Sequence, residues 1–164
     1  MKFKPTLFAT ALLNAALALP LTMAVGATNA VDPAVGTWTL NLAKSKPDAA
    51  LAAPKSSVRT YSATADGLKV VIHSVDADGA THDLSSTFTY DGKQHPVTGA
   101  TDYDTIAVTR VGPRKSKTDM IRGGQTIGHL SRVVSADGKT MTITSDLTSA
   151  KGEKVHDVTV YDRQ

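Results

Sequence analysis

The sequence predicts an all-β protein: one antiparallel, up-and-down β-barrel of eight to ten strands. Three observations lead there. After Val35 the chain is dominated by runs of alternating apolar and polar residues rich in Thr and Val. Tight-turn signals separate these runs: Asp66-Gly67, Asp78-Gly79, Asp91-Gly92, Gly123-Gly124, Asp137-Gly138 and Lys151-Gly152. Gly in such pairs permits the positive φ that two-residue hairpins need. Only one stretch after residue 30, Ala43 to Ser56, breaks the strand pattern. A meander this long is expected to close, because closure removes exposed sheet edges.

The first element reads as a secretion signal, residues 1–30. Lys2 and Lys4 form a basic start, and Leu7 to Ala24 is an apolar run. Val25-Gly26-Ala27 and Thr28-Asn29-Ala30 each put small or acceptable residues where signal peptidase requires them. Cleavage is expected after Ala30 or Ala27. Asn14 and Pro20 interrupt the run and argue against an uncleaved anchor. No second long apolar stretch follows. Residues 31–164 are read as one barrel domain of 164 − 30 = 134 residues, enough for one core. Periplasmic or secreted localisation follows.

Ten strands are expected, over Thr37–Leu42, Ser57–Thr64, Leu68–Val75, Thr81–Tyr90, Lys93–Val97, Thr105–Val111, Lys115–Arg122, Gln125–Ser135, Thr140–Leu147 and Lys154–Asp162. Between the first two, Pro47 and Pro54 bracket Asp48-Ala49-Ala50-Leu51-Ala52-Ala53. Pro and Asp suit a first helical turn, so a short helix or an apolar loop is expected there as a lid.

Alternation assigns faces, since residues two apart share a side. Trp38, Leu40 and Leu42 form one apolar face; Leu68, Val70 and Ile72 a second; Leu84, Phe88 and Tyr90 a third. Ile106 with Val108, and Met141 with Ile143, continue the core. Several faces carry a polar member. His82 joins Leu84, Arg110 joins Val108, His129 joins Ile127 and Val133, and Arg132 joins Leu130 and Val134. On the second strand Arg59 and Tyr61 share a face. An interior Arg needs a partner or water, so these faces imply a partly wet cavity.

Gly36-Thr37-Trp38 at the first strand and Val158-Thr159-Val160-Tyr161-Asp162-Arg163 at the last carry a resemblance. With the meander between them, the chain resembles the calycins, the group of lipocalins and fatty-acid-binding proteins. More narrowly, it is similar to small secreted bacterial lipocalin-like proteins. The resemblance spans almost all of residues 31–164. It implies that Gly36 and Trp38 are structural, with the Trp inside across the closed end. It also implies that a carboxylate is held by two interior Arg and a Tyr. Tyr161 aligns with that Tyr, Thr159 stands where the paired Arg would be, and Arg132 falls about one residue from the other Arg. One of the two Arg is thus replaced, which implies weak affinity for a simple fatty acid.

Composition narrows the function classes. The chain has 18 Lys+Arg and 15 Asp+Glu; the signal carries two of the Lys, leaving 16 − 15 = +1 for the rest. So even a balance, with four Tyr and three Phe scattered along the chain, gives no nucleic-acid partner. There are no cysteines, which excludes disulfides, thiolate metal sites and a cysteine nucleophile. The five His form neither His-x-His nor HExxH, so no metal site is expected. His82-Asp83 and His156-Asp157 are strand neighbours on opposite faces. Gly138-Lys139-Thr140 resembles the end of a P-loop, but Val133 stands where its first Gly belongs. With no Gly-x-Ser-x-Gly elbow, no catalytic residue and no cofactor are expected.

Two basic clusters remain: Lys44, Lys46 and Lys55 near the lid, and Arg110, Arg114, Lys115 and Lys117 at one hairpin. They suit solubility and edge protection, with weak contact to anionic lipid as a further option. The expected function is a non-enzymatic barrel that binds a small hydrophobic or amphipathic molecule. Arg132, Tyr161, Thr159, Arg59 and Tyr61 are its expected ligand residues. The alternative is a filled barrel, a structural or protein-interaction module of the cell envelope.

Overall fold

The computed structural model describes residues 31–49, 51, 53–148 and 152–164. The expected signal segment and its cleavage sites lie outside the described residues, as do Ala50, Ala52 and Lys151 of the expected lid and last turn. The strands are β1 Gly36–Leu40, β2 Ser56–Ala63, β3 Leu68–Val75, β4 Thr81–Phe88, β5 Asp91–Thr98, β6 Thr105–Gly112, β7 Lys115–Arg122, β8 Gln125–Val134, β9 Thr140–Thr148 and β10 Lys154–Arg163. Each pairs antiparallel with its neighbours in the chain, and β1 pairs with β10 to close the barrel. The short β1 is gripped from both sides. Trp38 faces Arg163 on β10 and Arg59 on β2, and Leu40 faces Tyr161.

Alternation sets the interior as the sequence implies. Trp38, Leu68, Val70, Phe88, Val108, Met141 and Ile143 are buried in one core cluster. Burying a large apolar side chain contributes about 1.5–3 kcal/mol, so this interior row is the main source of stability. On β8 the face of Leu130, Arg132 and Val134 points in, while His129 and Val133 are exposed on the other side.

One end is shut. Trp38 is fully buried there, and its indole N–H donates to the Ala34 carbonyl at 2.8 Å. The Arg163 guanidinium lies 4.2 Å from the Trp38 ring centre. It donates to the carbonyls of Pro33 and Val35, both at 2.7 Å, and of Gly138 at 2.6 Å. Arg163 therefore ties the segment before β1 and the β8–β9 turn to the floor of the core.

The weakest seam joins β4 to β5, where only Ser85↔Thr98 and Ser86↔Val97 are in register. Pro96 has no N–H to give the ladder, and a register shift falls between Asp91 and Gln94 on the β5–β6 side. The Ser86 hydroxyl donates to the Pro96 carbonyl at 2.9 Å across the gap.

Two expectations need correction, those for Leu42 and Gly67. Leu42 is not core: it opens a 3-10 turn, Leu42–Lys44, and is 44 % exposed. The Asn41 side chain accepts the Lys44 N–H at 3.1 Å, which ends β1 two residues early. Among its described residues the expected lid takes the loop form, following that 3-10 turn, and is stitched to β10 by Lys46↔Val158 and by the Asp48 carboxylate, which accepts the His156 N–H at 3.0 Å. Gly67 does not use positive φ, unlike Gly79 and Gly138. It is required because a Cβ there would collide with the Phe88 carbonyl.

Candidate ligand-binding site

The other end of the barrel opens beneath the loop between β1 and β2. Here a cleft of about 520 Å³ enters the barrel. Its apolar wall comes from Ile72, Leu84, Leu130 and Leu147. Arg59 of β2 and Thr159 and Tyr161 of β10 line it too. These residues point inward by alternation: Ser57, Arg59 and Tyr61 share one face of β2, and Asp157, Thr159 and Tyr161 one face of β10.

Arg59 separates two spaces. Deeper in, it also lines a chamber of about 60 Å³ with Tyr61, Ser116, Arg132 and apolar side chains of β3, β6 and β9. Ligand pockets typically run from about 300 Å³ upward. The centre of the barrel is therefore largely filled by side chains, and the mouth is the roomy part.

Two Arg–Tyr stacks order the interior. The Arg59 guanidinium lies 4.9 Å from the Tyr161 ring centre, and that of Arg132 lies 4.8 Å from Tyr61. Arg132 donates to the Tyr90 hydroxyl at 2.7 Å, and that hydroxyl donates to the Asp32 carboxylate at 2.8 Å. Asp32 also pairs with Arg110, whose guanidinium stacks 3.9 Å from the Tyr90 ring centre. The charge of Arg132 is thus offset by Asp32 through one phenol. Arg59 has no such counterpart: among the described residues no carboxylate forms an ion pair with it.

The same arrangement sets the titration of these groups. Burial pushes the Tyr90 phenol up to about 12, with Asp32 adding to the rise and Arg132 opposing it. Burial also works to raise Asp32, but the Ala34 N–H, the Tyr90 hydroxyl and Arg110 together hold it below the usual carboxylate range. Tyr61 behaves oppositely to Tyr90. Burial would raise it, yet Arg132 and then Arg59 pull it below the ordinary tyrosine value. Two guanidiniums, Arg132 and Arg59, thus converge on the Tyr61 phenol.

At the rim the acids are already engaged. Asp76 bonds His82 at 2.6 Å, Asp102 pairs with Arg122, and Asp157 accepts the Asp48 N–H. On the outer wall His73, His129 and His156 each meet an Asp on the adjacent strand, at 2.6–2.7 Å. Of the adjacent His-Asp pairs of the sequence, Asp83 and His156 find cross-strand partners, while His82 bonds Asp76 in the β3–β4 turn and Asp157 accepts the Asp48 N–H. Among the described residues no group of three or more His, Asp or Glu is placed to hold a metal ion.

Of the residues expected from the sequence, Arg59, Tyr61, Arg132, Thr159 and Tyr161 all lie inside. They divide between the two spaces: Thr159 and Tyr161 line the mouth, Tyr61 and Arg132 the chamber, and Arg59 both. The Thr159 hydroxyl turns to the Ile143 carbonyl at 3.5 Å. Arg110, grouped by sequence with a basic hairpin, is drawn to Asp32 instead. Tyr90 was legible only as core, and Ser116 and Asp32 were missed. Asp32 precedes the first strand, so no periodicity marks it. Ser116 sits among Lys115 and Lys117, whose charge hides an inward position.

The chain matches no protein-family model, no curated protein and no solved structure. Its closed ten-strand barrel is consistent with a calycin-like fold.

Proposed function

We propose that this chain is an exported, non-enzymatic binding protein that holds a small amphipathic molecule in the mouth of the barrel. The carrying observation is Arg59, a guanidinium on the floor of a cleft with apolar walls and with no carboxylate paired to it. A ligand with an acceptor end, such as a carboxylate, supplies the missing partner through a charge-assisted hydrogen bond. Its apolar body then covers Ile72, Leu84 and Leu147, at about 25 cal/mol for each Å² removed from water. Export rests on the basic-apolar-small pattern of residues 1–30.

A second reading is supported by the chamber of about 60 Å³, which is too small for such a body. In that reading the barrel is filled and serves as a structural or protein-interaction module. Native mass spectrometry of protein purified from the envelope of its own cells separates the two. An adduct of small-molecule mass that is lost on organic extraction supports the binding protein. The bare mass in every preparation supports the filled barrel.

A further inference from the structure

Around Tyr61 and Tyr90 stand three guanidiniums, Arg59, Arg110 and Arg132, and one carboxylate, Asp32, leaving 3 − 1 = 2 positive charges. Arg132 and Ser116 are more than nine-tenths buried. Among the described residues, two buried side-chain polar atoms have no hydrogen-bond partner: Nε of Arg59 and Oγ of Ser116. Both residues line the same chamber, and an unsatisfied buried donor is costly. One water takes about 10–15 Å³ of such space, so a chamber of about 60 Å³ accommodates a monatomic ion with its water but no ligand body.

We infer that the chamber is a binding site for a small inorganic monovalent anion, of halide size, held by Arg59 Nε–H and the Ser116 hydroxyl beside the charge of Arg132. Arg59 carries five N–H donors in a plane, so serving the chamber leaves others for the mouth. Ser116 and Arg132 line the chamber and not the mouth, so Ser116→Ala separates the anion site from whatever the mouth takes. The depressed titration of Tyr61 fits it, since the same field that favours a phenolate favours a bound anion.

The test uses the protein without its first thirty residues, the form the expected cleavage produces. Its melting temperature is compared in sodium chloride, sodium bromide and sodium gluconate at one ionic strength. Gluconate is too large for the chamber. At a halide concentration well above the dissociation constant, a rise of about 5 °C over gluconate is expected. Ser116→Ala and Arg59→Met should each remove most of that rise. Crystals soaked in bromide should show its anomalous signal between residues 59 and 116. Equal melting in all three salts, an unchanged halide effect in both variants, or bromide found only on the surface would overturn the inference. A fluorescent fatty-acid analogue titrated into the same samples reports the mouth separately. Loss of its binding with the halide effect intact removes the binding-protein reading and leaves the anion site standing.

Discussion

Arg59 on β2 and Tyr161 on β10 meet across β1, guanidinium to ring centre 4.9 Å. The contact spans the closure of the barrel, because β1 is the strand between them. Stacking on a ring face uses the π-cloud and leaves the in-plane N–H groups free. Tyr161 thus fixes where Arg59 stands through its ring and its hydroxyl, and the side-chain partners of Arg59 are the phenols of Tyr161 and Tyr61. That separates Arg59 from Arg163, whose N–H groups are spent on three backbone carbonyls.

The closed end should be the most sensitive to truncation. Trp38→Ala is expected to cost about 3–5 kcal/mol in a urea melt, because the ring is fully buried. Arg163→Met keeps much of the contact with the ring but frees the carbonyls, and should cost about 1.5–3 kcal/mol. A loss under about 1 kcal/mol for Trp38→Ala would place the ring outside the cooperative core.

Acid should loosen the floor through Asp32. Its folded pKa lies below its ordinary value, so its contribution is complete above the unfolded pKa of about 3.9 and is lost as pH falls through the folded value. Stability measured by urea should therefore drop below about pH 4. Asp32→Asn should be less stable at neutral pH by about 1–3 kcal/mol and should drop less on acidification. Equal acid slopes for the two proteins would mean that Asp32 is not a linked group.

Tyr61, Tyr90 and Tyr103 should not titrate together. Tyr61 is expected to ionise below the ordinary value of 10.0, Tyr103 above it, and Tyr90 near 12. Ultraviolet titration of the parent and of Tyr61→Phe checks this, since the variant should lack the earliest step. If the variant retains that step, the two guanidiniums do not converge on Tyr61.

Export is tested by the mature N-terminus. In a Gram-negative host the protein should be recovered from the periplasm, starting at Val31 or Thr28. Met1 retained in a membrane fraction would show the apolar run to be an anchor.

All ten strands were legible within a few residues, because alternation and turn residues are local signals. Trp38 was legible for the same reason, being apolar and in phase. The site was legible only as a set of inward residues. Which Arg meets which Tyr depends on register across β1 and on loops outside any period. So the sequence grouped Arg132 with Tyr161, whereas in the fold Arg132 contacts Tyr61 and Tyr90 and Tyr161 contacts Arg59. The end of β1 was overextended because Leu42 continues the apolar phase, while the Asn41 cap turns the chain out.

Titration with a fluorescent fatty-acid analogue tests the central claim most directly. The parent should bind, and Arg59→Met should weaken binding roughly ten- to a hundredfold, the loss of one charge-assisted bond of about 1.5–3 kcal/mol. Tyr161→Phe should cost about 1 kcal/mol or less, since its ring face remains. Arg132→Met should act mainly on stability, because its partner is the Tyr90 hydroxyl. A parent that binds no apolar probe, or an Arg59→Met variant that binds as well as the parent, would contradict the account.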